Sequence, residues 1–137
     1  MLQLIVGKKG SGKTKRLIDM VNAEIERAKG DVVFIDDDKR YMYDVKHQVR
    51  FVNVKDYDVC TEERFYGFLC GMLSQNFDIS AIYIDAFLHI IGKDASETEW
   101  FFKELVKLTK ENSDLKFVLN VSAGADEIPD FMKDYMI

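Results

Sequence analysis

The stretch Gly7 to Thr14 constrains this chain more than any other. It reads G-K-K-G-S-G-K-T, follows the apolar run Leu2 to Val6, and opens a segment with helical periodicity. Its glycines let the backbone curl tightly, so that successive N–H groups point inward at an anion. A helix beginning near Lys13 adds the positive end of its dipole. In such a cradle Gly7, Lys8, Lys9, Gly10, Ser11, Gly12, Lys13 and Thr14 surround phosphate groups. The Lys13 side chain can reach the terminal phosphates, and the Thr14 hydroxyl can ligate Mg²⁺. The apolar strand before the loop and the helix after it supply the context that a bare glycine and lysine pattern lacks.

Composition narrows the frame around this loop. A chain of 137 residues suits one domain over residues 1–137 with one core. It is 47% hydrophobic, with Phe 10 and Tyr 6, so it can bury a sizeable core and is not disordered. The Leu2 to Val6 run is too short for a membrane span or a signal-peptide core and has no basic leader, so a cytoplasmic protein is expected. Cys60 and Cys70 lack metal-type spacing and read as buried or half-buried thiols. A net charge of −5 gives no strong nucleic-acid signature. Lys8, Lys9, Lys13, Lys15 and Arg16 stand out against that acidic background, where phosphates would bind.

Leu2 to Val6 reads as a buried strand, and Leu17, Ile18, Val21, Ile25 and Ala28 form one face of a helix over Lys13 to Lys29, with Gly30 as its stop. Val32 to Ile35 is continuous and β-branched, as expected in a parallel sheet covered on both faces. It runs into Asp36, Asp37 and Asp38. In open α/β sheets ligands bind beyond the carboxyl ends of the strands. The three aspartates therefore read either as a group that holds Mg²⁺ or positions water, or as a solvated turn. The loop Tyr41 to Gln48 could pack a base or a partner, or cap the sheet edge. His47 and His89 carry no partner signature.

Val49 to Val54 reads as a short strand. Thr61 is a candidate N-cap for a helix with the stripe Phe65, Phe68, Leu69, Met72 and Leu73. Gly67 and Gly71 on that helix would admit another backbone. Ala81 to Asp85 is an apolar strand ending in a carboxylate, a position from which Asp85 can hold Mg²⁺ through its water shell. Phe87 to Ile91 reads as a short helix or an exposed lip ending at Gly92. Ser96 to Glu99 reads as a capping box for a helix ending near Asn112. Lys116 to Val121 is the next strand, with Asn120 and Ser122 at its tip. Ile128, Phe131, Met132 and Tyr135 mark a short amphipathic tail helix, with Pro129 in its first turn.

Strand, glycine-rich loop, helix, further strands and Asp85 together resemble the P-loop NTPase superfamily over most of the chain. At least one strand lies between the loop strand and the Asp85 strand, an order that resembles the RecA-like branch. There a further strand ends in a polar sensor beside the γ-phosphate, matched here by Asn120 or Ser122. The chain is also similar to a stripped-down core of bacterial-type thymidine kinases without their zinc-binding cysteine module. In size it resembles small stand-alone bacterial ATP-binding proteins, some labelled after the much larger twitching-motility, pilus-retraction ATPases. The resemblance implies a three-layer α/β/α fold with a mainly parallel sheet of about five strands. It also implies ATP and Mg²⁺ as cofactors.

Within that resemblance, Lys13 and Asp85 are the candidate catalytic residues, and Thr14 and Asp85 the candidate metal ligands. Many RecA-like ATPases carry a Glu directly after the Asp of the second motif; Ala86 stands there in this chain. Some members take that carboxylate from another strand tip, which makes Asp36, Asp37 or Asp38 a candidate substitute. No Asn-Lys-x-Asp occurs for reading guanine, so ATP is favoured over GTP. The expected activity is slow, Mg²⁺-dependent ATP hydrolysis. The alternatives are a nucleotide-dependent switch or subunit with little hydrolysis, and a small-molecule kinase of nucleoside type. An arginine supplied in trans would make a homo-oligomer or a protein partner part of the site, with Arg27, Arg40, Arg50 and Arg64 as candidates.

Overall fold

The computed structural model describes all 137 residues. Strand β1 (Leu2–Gly7) leads through the glycine-rich loop into α1 (Lys13–Arg27). Then come β2 (Asp31–Asp36) and β3 (Arg50–Asn53), and after a one-turn 3₁₀ segment, α2 (Glu62–Gln75). Strand β4 (Ile79–Ile84), α3 (Phe87–Ile91), α4 (Glu99–Glu111), β5 (Lys116–Ser122) and α5 (Asp130–Lys133) complete the order. The five strands form one sheet in the order β1-β5-β4-β2-β3, and every pairing in it is parallel. Parallel pairs need crossover connections, and here helices supply most of them.

Alternation along each strand sorts side chains into two cores, because successive residues face opposite sides of a sheet. Ile5, Phe34, Tyr83 and Val118 pack with Leu17, Ile18 and Val21 of α1 on one face. Leu4, Ile35, Ile84 and Leu119 pack on the other with Phe65 and Leu69 of α2, Phe87 of α3, Phe101, Phe102 and Leu105 of α4, and Met132 of α5. The result is a three-layer α/β/α arrangement whose thicker core lies away from α1. At its centre Phe101 stacks on Phe65 at 5.5 Å between ring centroids and touches Phe87 at 5.2 Å. The thinner face is stitched at its amino-terminal edge by charge: Lys116 lies 3.4 Å from Glu24 of α1.

Several local expectations change. Gly30 is not a left-handed helix stop: α1 ends at Arg27 and the chain is already extended at Ala28. A Cβ on Gly30 would lie 2.0 Å from the Asp78 carbonyl oxygen, so this glycine serves a close approach of two backbones. Gly67 and Gly71 have open space beside them, and no backbone approaches there. Phe87, Ile90 and Ile91 are buried, which makes α3 a packed helix and not an exposed lip. The capping box begins at Asp94, whose N–H donates to Glu97 Oε1 at 3.0 Å. The Thr98 hydroxyl instead donates to the Ala95 carbonyl. Cys60 is exposed and Cys70 is half-buried. Thr61 caps α2 as expected, accepting from the Arg64 N–H at 3.1 Å.

The tail does more than pack. The Leu4 N–H donates to the Tyr135 carbonyl and the Ile137 N–H to the Leu4 carbonyl, so the last residues run parallel to β1 and cover its free edge. At the opposite edge the Tyr41 to Gln48 loop folds over the α1 face, with Val45 and Val49 buried in that core, in keeping with an edge cap. No helix is long and apolar enough to cross a membrane.

Candidate functional site

The glycine-rich loop takes the conformation its residues permit. Gly10 and Gly12 have φ of 83° and 88°, left-handed values that an L side chain avoids. A Cβ on Gly7 would lie 2.5 Å from Ser11 Oγ, so a side chain there would make the Ser11 hydroxyl turn away. Gly12 precedes the first turn of α1, which carries no acidic residue, so the positive end of the helix faces the loop uncompensated. Lys13 is buried, and its Nζ donates to the Lys8 carbonyl at 2.9 Å, crossing the loop from within. Burial lowers the Lys13 pKa, and Asp85 opposes that shift.

Sheet register brings a second group to the same place. Ile35 is level with Ile84, and Ile84 with Leu119. The next residue on each strand is therefore Asp36, Asp85 and Asn120, a polar row at the strand ends. By alternation the row faces the α1 side. Asn120 Nδ2 donates to Asp85 Oδ1 at 2.8 Å, and the Ala86 N–H donates to the same oxygen at 3.0 Å. Thr14 Oγ1 donates to Asp85 Oδ2 at 3.1 Å, joining residues 71 apart in the chain. Thr14 and Asp85 thus offer two hard oxygen donors beside a loop shaped for an anion, a donor set that fits Mg²⁺ held with phosphate.

Asp36 is only 3% exposed. Its Oδ1 accepts the Asp37 N–H at 2.7 Å, and its Oδ2 is buried without a partner. Burial foremost, with Asp85 next, pushes its pKa up to about 8. Asp37 is buried and its Oδ2 meets Nδ1 of His89, which is mostly exposed on α3. Asp38 is half-buried and holds Arg40 through both its N–H and its guanidinium. A cleft of about 1410 Å³ joins these groups. It runs from Lys13 and Thr14 past Asp36 and Asp85 to His89 and Asp94.

The expected site residues divide accordingly. Lys13, Thr14, Asp36, Asp85 and Asn120 converge. Asn120 sits inside β5 and not at its tip, and Ser122 is the exposed strand end, on the wall of the cleft. Lys8 contributes a backbone carbonyl, while Lys9 lines the cleft and Lys15 is tied to Asp19 at 2.8 Å. Sequence reasoning missed His89, because its partner Asp37 lies on another strand tip and α3 decides the meeting. The polar row itself was legible in principle: each member follows an apolar strand run at the same parity.

Together these features define an α/β fold with an all-parallel five-stranded sheet, in which a strand, β5, lies between the loop strand β1 and the Asp85 strand β4. No family model matches the chain, and no curated protein matches it in sequence. Among solved structures the fold is similar to that of the flagellar accessory protein FlaH from Methanocaldococcus jannaschii. The TM-score is 0.54 at 12% identity, and the likeness covers 94% of this chain and 63% of that one. The chain therefore spans less than two thirds of FlaH.

Proposed function

We propose that this chain binds Mg-ATP and hydrolyses it slowly. The observation that carries the reading is the meeting of Thr14 with Asp85 beside a loop whose glycines take left-handed conformations. The loop N–H groups would hold the phosphates, and Lys13 would leave the Lys8 carbonyl to neutralise the terminal ones. Thr14 and Asp85 would hold Mg²⁺, which supplies charge neutralisation on the phosphate oxygens. Asn120 and the Ala86 N–H fix the Asp85 carboxylate in place. Of the three strand-end aspartates, Asp36 is the one level with Asp85. A carboxylate raised to about 8 lies near the range in which a general base works.

Calorimetry tests the binding step. ATP with Mg²⁺ should give a saturable heat, and Lys13→Ala should weaken it at least about a hundredfold, since a buried charge-assisted contact to phosphate is worth about 3 kcal/mol. Equal affinity in the two proteins sinks the proposal.

A nucleotide-dependent switch is the second reading, and Ala86 favours it. No carboxylate follows Asp85, and Ala86 instead starts α3 in a left-handed conformation. Its N–H touches Asp85 while His89, three residues on, touches Asp37. A change at Asp85 would pass into α3 through Ala86, and a change at Asp37 through His89. Phosphate release that rises only when a cellular partner is added would favour this reading over the first.

A further inference from the structure

Asp36, Asp37 and Asp38 crowd the carboxyl end of β2. We propose that they form a site for one hard divalent cation, separate from Thr14 and Asp85 and filled without nucleotide. One oxygen from each lies within 4.8 Å of the others. Two oxygens on opposite sides of one ion stand about 4.8 Å apart at a metal–oxygen distance of about 2.4 Å and about 4.2 Å apart at about 2.1 Å, so a Ca²⁺-sized ion bridges such a span directly and a smaller ion draws the carboxylates together by a few tenths of an ångström. The donors are oxygen alone, which selects Mg²⁺, Mn²⁺ or Ca²⁺ over softer metals.

Acidic turns are common at strand ends, and most are solvated. Asp36 sets this one apart. It is 97% removed from solvent by its 3% exposure, its Oδ2 accepts from no donor, and it lines the cleft beside Asp37 and Asp38. A buried carboxyl oxygen without a hydrogen-bond partner is unfavourable, and a cation satisfies it. The neighbours are already oriented. His89 takes one oxygen of Asp37 and leaves the other, while Arg40 holds Oδ1 of Asp38 with its N–H and Oδ2 with an exposed guanidinium that would swing away for the ion. A ligand set fixed by outer contacts loses less freedom when the ion arrives. The two uses of Asp36, base and ligand, exclude each other at any moment, so the cation site belongs to the protein outside turnover.

The test uses the full chain stripped of metal by a chelator. Mn²⁺ is titrated in and the free ion followed by electron paramagnetic resonance, first without nucleotide and then with a non-hydrolysable ATP analogue whose own Mn²⁺ uptake is measured separately. One Mn²⁺ should bind per chain without nucleotide, and Ca²⁺ should compete for it. Asp36→Asn and Asp37→Asn should each weaken it at least about tenfold, and His89→Gln by a similar factor through the orientation of Asp37. Asp38→Asn, at a half-buried position and with an amide oxygen still able to accept the Arg40 N–H, is the variant least exposed to unfolding. Circular dichroism checks the others. The analogue should raise the count to two; a count that stays at one argues against the nucleotide reading and leaves this site standing. Absence of Mn²⁺ binding without nucleotide, or binding unchanged in Asp37→Asn and Asp38→Asn, overturns the inference.

Discussion

Replacing Ala86 by glycine should stabilise the protein, although it removes a methyl group. Ala86 has φ 57° and ψ 34°. For an L residue that conformation is disfavoured by about 1–2 kcal/mol, and glycine escapes it. Glycine returns about 0.5–1 kcal/mol of this through the greater freedom of the unfolded chain. Position 86 is also the N-cap of α3, where glycine is preferred to alanine. The net gain is about 1 kcal/mol. In a chain of this length it raises the midpoint of thermal unfolding by about 3–4 °C. Urea unfolding should show a higher midpoint with an unchanged slope. The Ala86 N–H bond to Asp85 survives the change, since it is a backbone bond. A lower melting temperature in Ala86→Gly would show that the left-handed turn carries no strain, and the reasoning for position 86 would be wrong.

Asp36 makes stability depend on pH. Its pKa is about 8 folded against 3.8 in the ordinary case, so the folded chain holds a proton that the unfolded chain has released. The stability that this proton carries is fully present below about pH 4 and is lost as pH rises through about 8. Asp36→Asn should therefore leave the melting temperature nearly unchanged at pH 4 and raise it at pH 9, measured with a chelator present; a difference that does not vary with pH contradicts the assignment. Gly30→Ala should destabilise by about 2–3 kcal/mol, because its Cβ would meet main chain at Asp78 and neither backbone can yield cheaply. An unchanged urea midpoint would refute the close approach. Phe101→Ala empties the centre of the thicker core, where Phe65 and Phe87 touch it, and should lose about 3–5 kcal/mol; a loss under about 1 kcal/mol would mean that the core collapses to fill the space.

What could be read beforehand depended on how local the cause was. The loop from Gly7 to Thr14 announces itself, because left-handed glycines, a lysine and a hydroxyl must be adjacent to do their part. Thr61 as a cap and the Phe65, Leu69 stripe are local in the same way. Gly30 looked like a helix stop because its real constraint, the Asp78 carbonyl, comes from a segment 48 residues away. The shift of the capping box from Ser96 to Asp94 has a similar origin: Ala95 is buried in the thicker core, and this packing sets the phase of the turn. His89 and Asp37, and Asn120 and Asp85, meet only because the sheet order places β5 and α3 against β4 and β2. Periodicity gives the elements but not their neighbours.

That order has a consequence for how the molecule comes to exist. Strand β1 pairs with β5 and with the tail, and with no strand made before them. Leu2 lies opposite Phe117, so the loop strand leaves the ribosome well before its partner and waits for it through more than a hundred residues of synthesis. Meanwhile β2, β3 and β4 can already zip together. Contacts of such long separation close slowly, and an unpaired apolar strand is exposed to the wrong partners while it waits. The glycine-rich loop is thus among the last parts of the protein to settle. A ligand that grips it would act as a clasp on the final step of folding.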